Sequence, residues 1–258
     1  MKAKEIMREV ITPAWEDAHS SWTVDCLKIG DPECEVKKIA TTLTATPDII
    51  KAVGEWGADL LIVHEPTFYN HVDSFEETSR LSVMKRELIE KYGLTIYRYH
   101  DSQHMAGVDL VNLDFIEKMG WEGEFDNNLH FVSREPMEVR DIVEGIKKNL
   151  GIKHPRIVGR TEGKITKILL NTGHRGGDSY REFAEVSDFE MVIGGELCEW
   201  ADGEPIRDAA QFGEQKTLLI LGHAGSEKSS MEALARAIDK KFDGAEARYF
   251  DCGELYTY

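Results

Sequence analysis

Short runs that are apolar at most positions alternate along the chain with longer segments in which apolar residues recur at helical spacing. The runs are 39–43, 60–63, 94–99, 165–170, 190–193 and 217–221. Several are apolar at every position, which predicts strands covered on both faces. The intervening spacing predicts helices over 46–53, 79–92, 108–119, 137–149, 178–185 and 226–242. At the first of these, Thr46 is placed to cap and Pro47 to occupy the opening helical position. Residues 1–19 read as a further amphipathic helix. The alternation predicts an α/β fold with largely parallel sheets.

The texture changes at GWEGEFDNN, residues 120–128. The expected division is a first α/β domain made of 1–125 and 214–258, which carries the metal ligands, and a second of 126–213. Composition adds exclusions. Lys plus Arg is 31 and Asp plus Glu 47 in 258 residues, a net charge of −16, so a phosphate backbone is repelled and nucleic-acid binding is unlikely. No apolar run approaches the ~20 residues of a membrane helix. The start lacks the apolar stretch and cleavage site of a signal peptide, and a cytoplasmic location is expected. The four cysteines, Cys26, Cys34, Cys198 and Cys252, contain no Cys-x-x-Cys pair and suggest neither a disulfide scaffold nor a thiolate zinc site.

Five of the nine histidines lie near three strand exits. The first run ends in His64-Glu65-Pro66. Adjacent residues on extended chain point apart, so this pair can serve two ions more easily than chelate one. The second ends in His100-Asp101-Ser102-Gln103-His104, where a helical turn beginning near Ser102 would face His104 back toward the strand mouth. The third ends in Gly222-His223-Ala224-Gly225-Ser226-Glu227, with His223 and Glu227 four apart. Each has a plain structural reading: a polar exit, a cap at Asp101 or Ser102, a glutamate that suits a helix dipole. Together, however, they put imidazoles and carboxylates at the carboxyl ends of buried strands, where open α/β sheets bind ligands. A mixed set of this kind suits zinc, iron, manganese, nickel or cobalt rather than calcium or magnesium. With a bridging glutamate it can hold two ions roughly 3.5 to 4 Å apart.

These segments resemble, in order, the motifs of the Nif-three-like dinuclear metal centre family, whose bacterial members are labelled GTP cyclohydrolase type two homologues. The resemblance runs through Trp22 to Asp31, a degraded Trp-Asp-Asn-x-Gly-Leu-x-x-Gly stretch, then Ala58 to Phe68 and His100 to His104. It continues through Leu169 to Asp178, Ile193-Gly194-Gly195-Glu196 and Leu221 to Glu227. Glu65 stands where the family has a second histidine, and His104 where it has an aspartate. The exchange keeps three imidazoles and two carboxylates in the set His64, Glu65, His104, His223 and Glu227. His100 is a ligand or a supporting group, and Asp101 is an alternative carboxylate. The resemblance implies two similar α/β domains with mixed, largely parallel sheets, two divalent transition-metal ions per subunit, and a homohexameric ring. His174 and Glu196 are candidates for the wall of the same cleft.

The function that follows is a metal-dependent hydrolase of a small molecule, a nucleotide among the candidates, with Glu65 or Glu196 moving protons. GTP cyclohydrolase-like ring opening is one version. A basic patch including Arg98, Arg160 and Arg175 would offset the acidic charge near a nucleotide. The competing readings are a non-catalytic metal-binding or interaction protein, and a relative that has lost its metal. A catalytic site keeps an open position for water and a structural one does not.

Overall fold

The computed structural model describes residues 1–15, 23–105, 107–174, 179–186 and 188–256. Trp22 of the opening motif and residues 175–178, with Arg175 and Asp178, lie outside the described residues. In chain order the elements begin α1 (Ala3–Trp15), β1 (Leu27–Ile29), β2 (Lys38–Thr42), α2 (Pro47–Trp56), β3 (Leu60–Val63), α3 (Arg80–Tyr92) and β4 (Thr95–Arg98). They continue α4 (Asp101–His104), α5 (Leu110–Met119), β5 (Gly123–Phe125), β6 (His130–Glu138), α6 (Val139–Leu150), β7 (Arg156–Gly159) and β8 (Lys164–Asn171). The chain ends α7 (Ser179–Glu185), β9 (Met191–Gly194), a π-helical turn (Glu199–Gly203), α8 (Glu204–Gln211), β10 (Thr217–Ile220), α9 (His223–Lys241) and β11 (Glu246–Tyr249).

The chain divides into two compact units, Met1–Leu110 with Ser230–Cys252, and Val111–Ser229 with Gly253–Tyr258. The first contains a five-stranded sheet in the order β1-β4-β3-β2-β11. β11, β2, β3 and β4 run parallel, and β1 is antiparallel to β4. Every residue of β3 and β4 is buried; the unbroken apolar run of β3 predicts this for a central parallel strand, and β4 is buried although it holds Thr95 and Arg98. Helix α2 starts as expected: the Thr46 side chain accepts the Ile49 N–H at 3.2 Å and Pro47 follows. Its Ile50 and Val53 pack with Leu61, Val63, Ile89 and Ile96 in this unit's core.

The second unit contains a six-stranded mixed sheet in the order β5-β6-β8-β9-β10-β7, parallel only across β8, β9 and β10. These pairings move the expected boundaries. β5, which starts at Gly123, hydrogen-bonds to β6, and β10 pairs with β9 and β7, so 111–125 and 214–229 belong to the second unit. His223 and Glu227 therefore lie in that unit rather than in the first. Only the part of α9 from Ser230 onward and β11, paired to β2, return to the first. Among the described residues no helix is long and apolar enough to cross a membrane.

The loop after β3 is fixed from below by α3. Lys85 on that helix is 4% exposed, donates to the Thr67 carbonyl at 2.8 Å and sits 4.2 Å from the Tyr69 ring centroid. Asp73, also buried, accepts the Phe68 N–H at 2.6 Å. Burial pushes the Lys85 ammonium down to about 8, opposed by the charge of Asp73. Between pH 8 and the ordinary lysine value of 10.5 the unfolded chain thus holds a proton that the folded chain does not. Stability of the wild type relative to Lys85→Met is expected to rise with pH across that window. Urea midpoints of both proteins at pH 7.5, 9 and 10 check it, and a difference that does not change with pH contradicts it.

Candidate metal centre

β3 and β4 are parallel neighbours with Val63 opposite Arg98, so the residues that follow each strand leave the sheet at one edge. His64, first after β3, is fully buried. Its N–H and that of Glu65 both donate to the Leu43 carbonyl, at 3.1 and 2.9 Å. Arg98 closes the other side. This guanidinium, expected on a basic patch, has no exposed surface: Nε donates to the His64 carbonyl at 2.9 Å and Nη1 to the His71 carbonyl at 2.5 Å. Burial works against its charge and prevails, and the carboxylates of Glu65, Asp73, Asp101 and Asp25 offset part of that cost. Arg160 is exposed, and Arg175 lies outside the described residues.

After β4 the chain turns at once into α4. A helix of four residues cannot hold itself, because almost all its N–H groups lack intrahelical acceptors. Asp25 supplies them. Its Oδ1 accepts from the N–H groups of His100 and Asp101 at 2.6 and 2.9 Å, and its Oδ2 from Ser102 at 2.8 Å. The turn brings His104 back beside His100, with ring centroids 4.9 Å apart. The His64 ring lies 4.5 Å from His100 and 5.2 Å from His104. These three residues offer ligand atoms that all lie within 4.8 Å of one another. His71 borders them, 6.0 Å from the His100 ring.

Each of the three imidazoles has an oxygen acceptor against Nδ1. His64 meets Gln103 Oε1 at 2.8 Å, His100 meets Asp101 Oδ1 at 2.8 Å, and His104 meets Asp109 Oδ2 at 3.1 Å. Oxygens of this kind accept and do not donate, so the proton belongs on Nδ1 and the lone pair on Nε2. That is the arrangement of metal-binding histidines, whose second nitrogen is held by a carboxylate or carbonyl. For Asp101 burial opposes the charge, but hydrogen bonds from His100, the Val24 N–H and Thr23 outweigh it and hold the carboxyl well below the usual range. Glu65 follows His64 in the chain and is not a member of the three-imidazole group.

The second unit builds its own set. β8, β9 and β10 are parallel, with Gly194 opposite both Asn171 and Ile220, so three further exits share an edge. Gly222, at φ 78°, turns the chain into α9, which opens on His223. One helical turn later Glu227, 2% exposed, brings Oε2 to 3.1 Å from His223 Nε2. His223 Nδ1 meets Glu196 Oε1 at 2.7 Å, and His174 Nδ1 lies 3.7 Å from Glu196 Oε2. Glycine is required at Gly173: a Cβ there would come within 2.1 Å of Glu227 Oε1, at a φ of 66°. His223, Glu227 and Glu196 are thus assembled, with Glu196 behind the histidine rather than beside the other carboxylate.

The sequence had pointed to His64, His100, His104, His223, Glu227 and Glu196, but not to Asp25, Gln103, Asp109 or the inward course of Arg98. A model of the Duf34/NIF3 (NGG1p interacting factor 3) family matches residues 1–251. The chain belongs to the Duf34/NIF3 family. It is 27% identical over 222 residues to a Haemophilus influenzae protein named GTP cyclohydrolase 1 type 2 homolog, across 81% of this chain and 82% of that one. It is 24% identical over 228 residues to the protein of that name from Clostridium perfringens, covering 84% and 83%. In fold it is similar to reduced HcgD from Methanocaldococcus jannaschii, with a TM-score of 0.74 at 20% identity over 97% of both chains. A Bacillus cereus protein related to NIF3 matches with a TM-score of 0.74 at 14% identity, over 100% of this chain and 98% of that one.

Arg98→Met keeps the bulk of the side chain and removes its donors. It is expected to destabilise the protein by about 1–3 kcal/mol for each carbonyl left unsatisfied. Urea unfolding measures this, and a change within about 0.5 kcal/mol would contradict the bridging role.

Proposed function

We propose that the protein is a divalent-metal-dependent hydrolase of a small molecule. In this reading His64, His100 and His104 hold an ion in the first unit, and His223 with Glu227 form a second donor pair. The observation that carries it is the state of the imidazoles: three that gather their ligand atoms within 4.8 Å, each with Nδ1 against an acceptor. A bound ion of this kind lowers the pKa of its water toward neutrality and polarises a carbonyl, ring carbon or phosphoryl group. Three protein donors leave a position open on a four-coordinate ion, the donor count of catalytic rather than structural zinc sites. That count favours the enzyme over a non-catalytic metal-binding protein. Imidazole donors favour zinc, cobalt, nickel or iron, and exclude a calcium-type oxygen cage.

Within this reading the chain's own groups have separate tasks. Asp101 and Gln103 orient His100 and His64. Glu196, engaged by His223 Nδ1, orients that histidine, which leaves Glu65 as the carboxylate assigned to proton transfer. The substrate class carried by the relatives' name is a purine nucleotide opened at its ring, and small amides and phosphoesters are the other members of the screen. Homohexamer assembly, implied by the motif resemblance, belongs to the same proposal.

Elemental analysis of protein purified without added metal or chelator tests the reading. Wild type is expected to carry about two transition-metal ions per chain. His100→Ala/His104→Ala and His223→Ala/Glu227→Ala should each lose metal, and Glu65→Ala should keep assembly while losing hydrolysis in the nucleotide and amide screen. Equal metal in all proteins would overturn the ligand assignment, and undiminished turnover in Glu65→Ala would overturn its role. Light scattering reads the assembly, and a monomeric mass contradicts the ring.

A further inference from the structure

His104 differs from the other two imidazoles in where it stands along the backbone. It is the last residue of a one-turn helix, and the backbone beyond it leaves the helical path at Met105. His64 follows a strand buried along its length and His100 is anchored through its N–H to Asp25, whereas the His104 N–H meets the His100 carbonyl at 3.4 Å and its ring lies beside those of His64 and His100. Its Nδ1 contact is with Asp109, 1% exposed, at 3.1 Å and five residues on. The donors are three neutral imidazoles, one of them fully buried, so a divalent ion among them brings charge into a setting poor in water. Two carboxylates stand directly behind those rings, Asp101 and Asp109.

We propose that Asp109 is a positioning residue of the first-unit metal site: its buried carboxylate holds His104 in the Nδ1–H tautomer, aims Nε2 at the ion, and supplies counter-charge. This rests on the reading of His64, His100 and His104 as ligands. Asp109 touches neither the ion nor substrate, and it acts through the imidazole. It also stands one residue before α5, where an aspartate serves as a helix cap.

Two variants separate the roles. Asp109→Asn and Asp109→Ser both preserve capping, but the first removes the charge and the second the reach to Nδ1. Zinc affinity is measured by competition with a chromophoric chelator, the cobalt(II) absorption spectrum is recorded, and the metal-free protein is melted. His104→Ala and wild type run beside them. The expected result is zinc affinity weaker by about 10–100-fold in both Asp109 variants, with an altered cobalt spectrum, whatever the metal-free melting temperature loses with the buried hydrogen bond. Unchanged affinity, with or without a lower melting temperature, would reduce Asp109 to a cap and overturn the proposal. Wild-type affinity in His104→Ala would overturn it by removing the ligand on which Asp109 acts. Wild type that binds neither zinc nor cobalt would instead defeat the metal-site reading itself.

Discussion

A guanidinium sealed from water holds together the part of the first unit where the candidate ligands stand. Arg98 ends β4, and its side chain turns inward to bind the carbonyls of His64 and His71, two points on the loop that leaves β3. A buried loop carbonyl must find a donor, and a long cationic side chain from the adjacent strand satisfies two at once. The cost is a charge in the interior, offset in part by the surrounding carboxylates. Lys85 repeats the device one step along the same loop, at Thr67. The loop is therefore tied by hydrogen bonds at His64, Thr67 and His71, beginning at the residue that follows a buried strand.

On that frame the side chains are prepared individually. Gln103, Asp101, Asp109 and Glu196 each stand against the Nδ1 of a different histidine, in the first unit three times and in the second once. Hydrogen bonds of this kind fix the ring orientation, and for the three first-unit histidines the tautomer, before any ligand arrives, which lowers the entropic cost of binding. Both units reach this result from the same element, a parallel strand whose carboxyl end opens into a turn.

Legibility in the sequence followed how local the cause was. The central strands β2, β3, β4, β8, β9 and β10 fall on the six runs that are apolar at most positions, and β3, β4, β9 and β10 are buried at every residue. Edge strands such as β1, β5 and β7 are short and half exposed, and carry no such mark. The unit boundary was displaced because β10 looks identical whichever sheet it joins, and only its pairing to β9 and β7 decides. Helix α9 begins at His223, three residues before the expected Ser226, so only Leu221 and Gly222 separate strand and helix at the third exit. The histidines were visible through their grouping. Their partners were not: Asp25 lies 75 residues from His100, and nothing in its neighbourhood marks it as the cap of a distant turn. Arg98 misled for a similar reason, since a charged strand residue reads as exposed until two carbonyls claim it.

The account stands on the three imidazoles of the first unit acting together on one ion through Nε2. Zinc X-ray absorption fine structure, recorded on the His223→Ala/Glu227→Ala protein so that only the first-unit site is loaded, addresses this most directly. The account predicts an inner shell of nitrogen and oxygen at about 2.0–2.1 Å with the outer-shell scattering of three imidazoles, falling to two in the same protein carrying His104→Ala. A shell dominated by carboxylate oxygen, or imidazole scattering indifferent to His104, would contradict it.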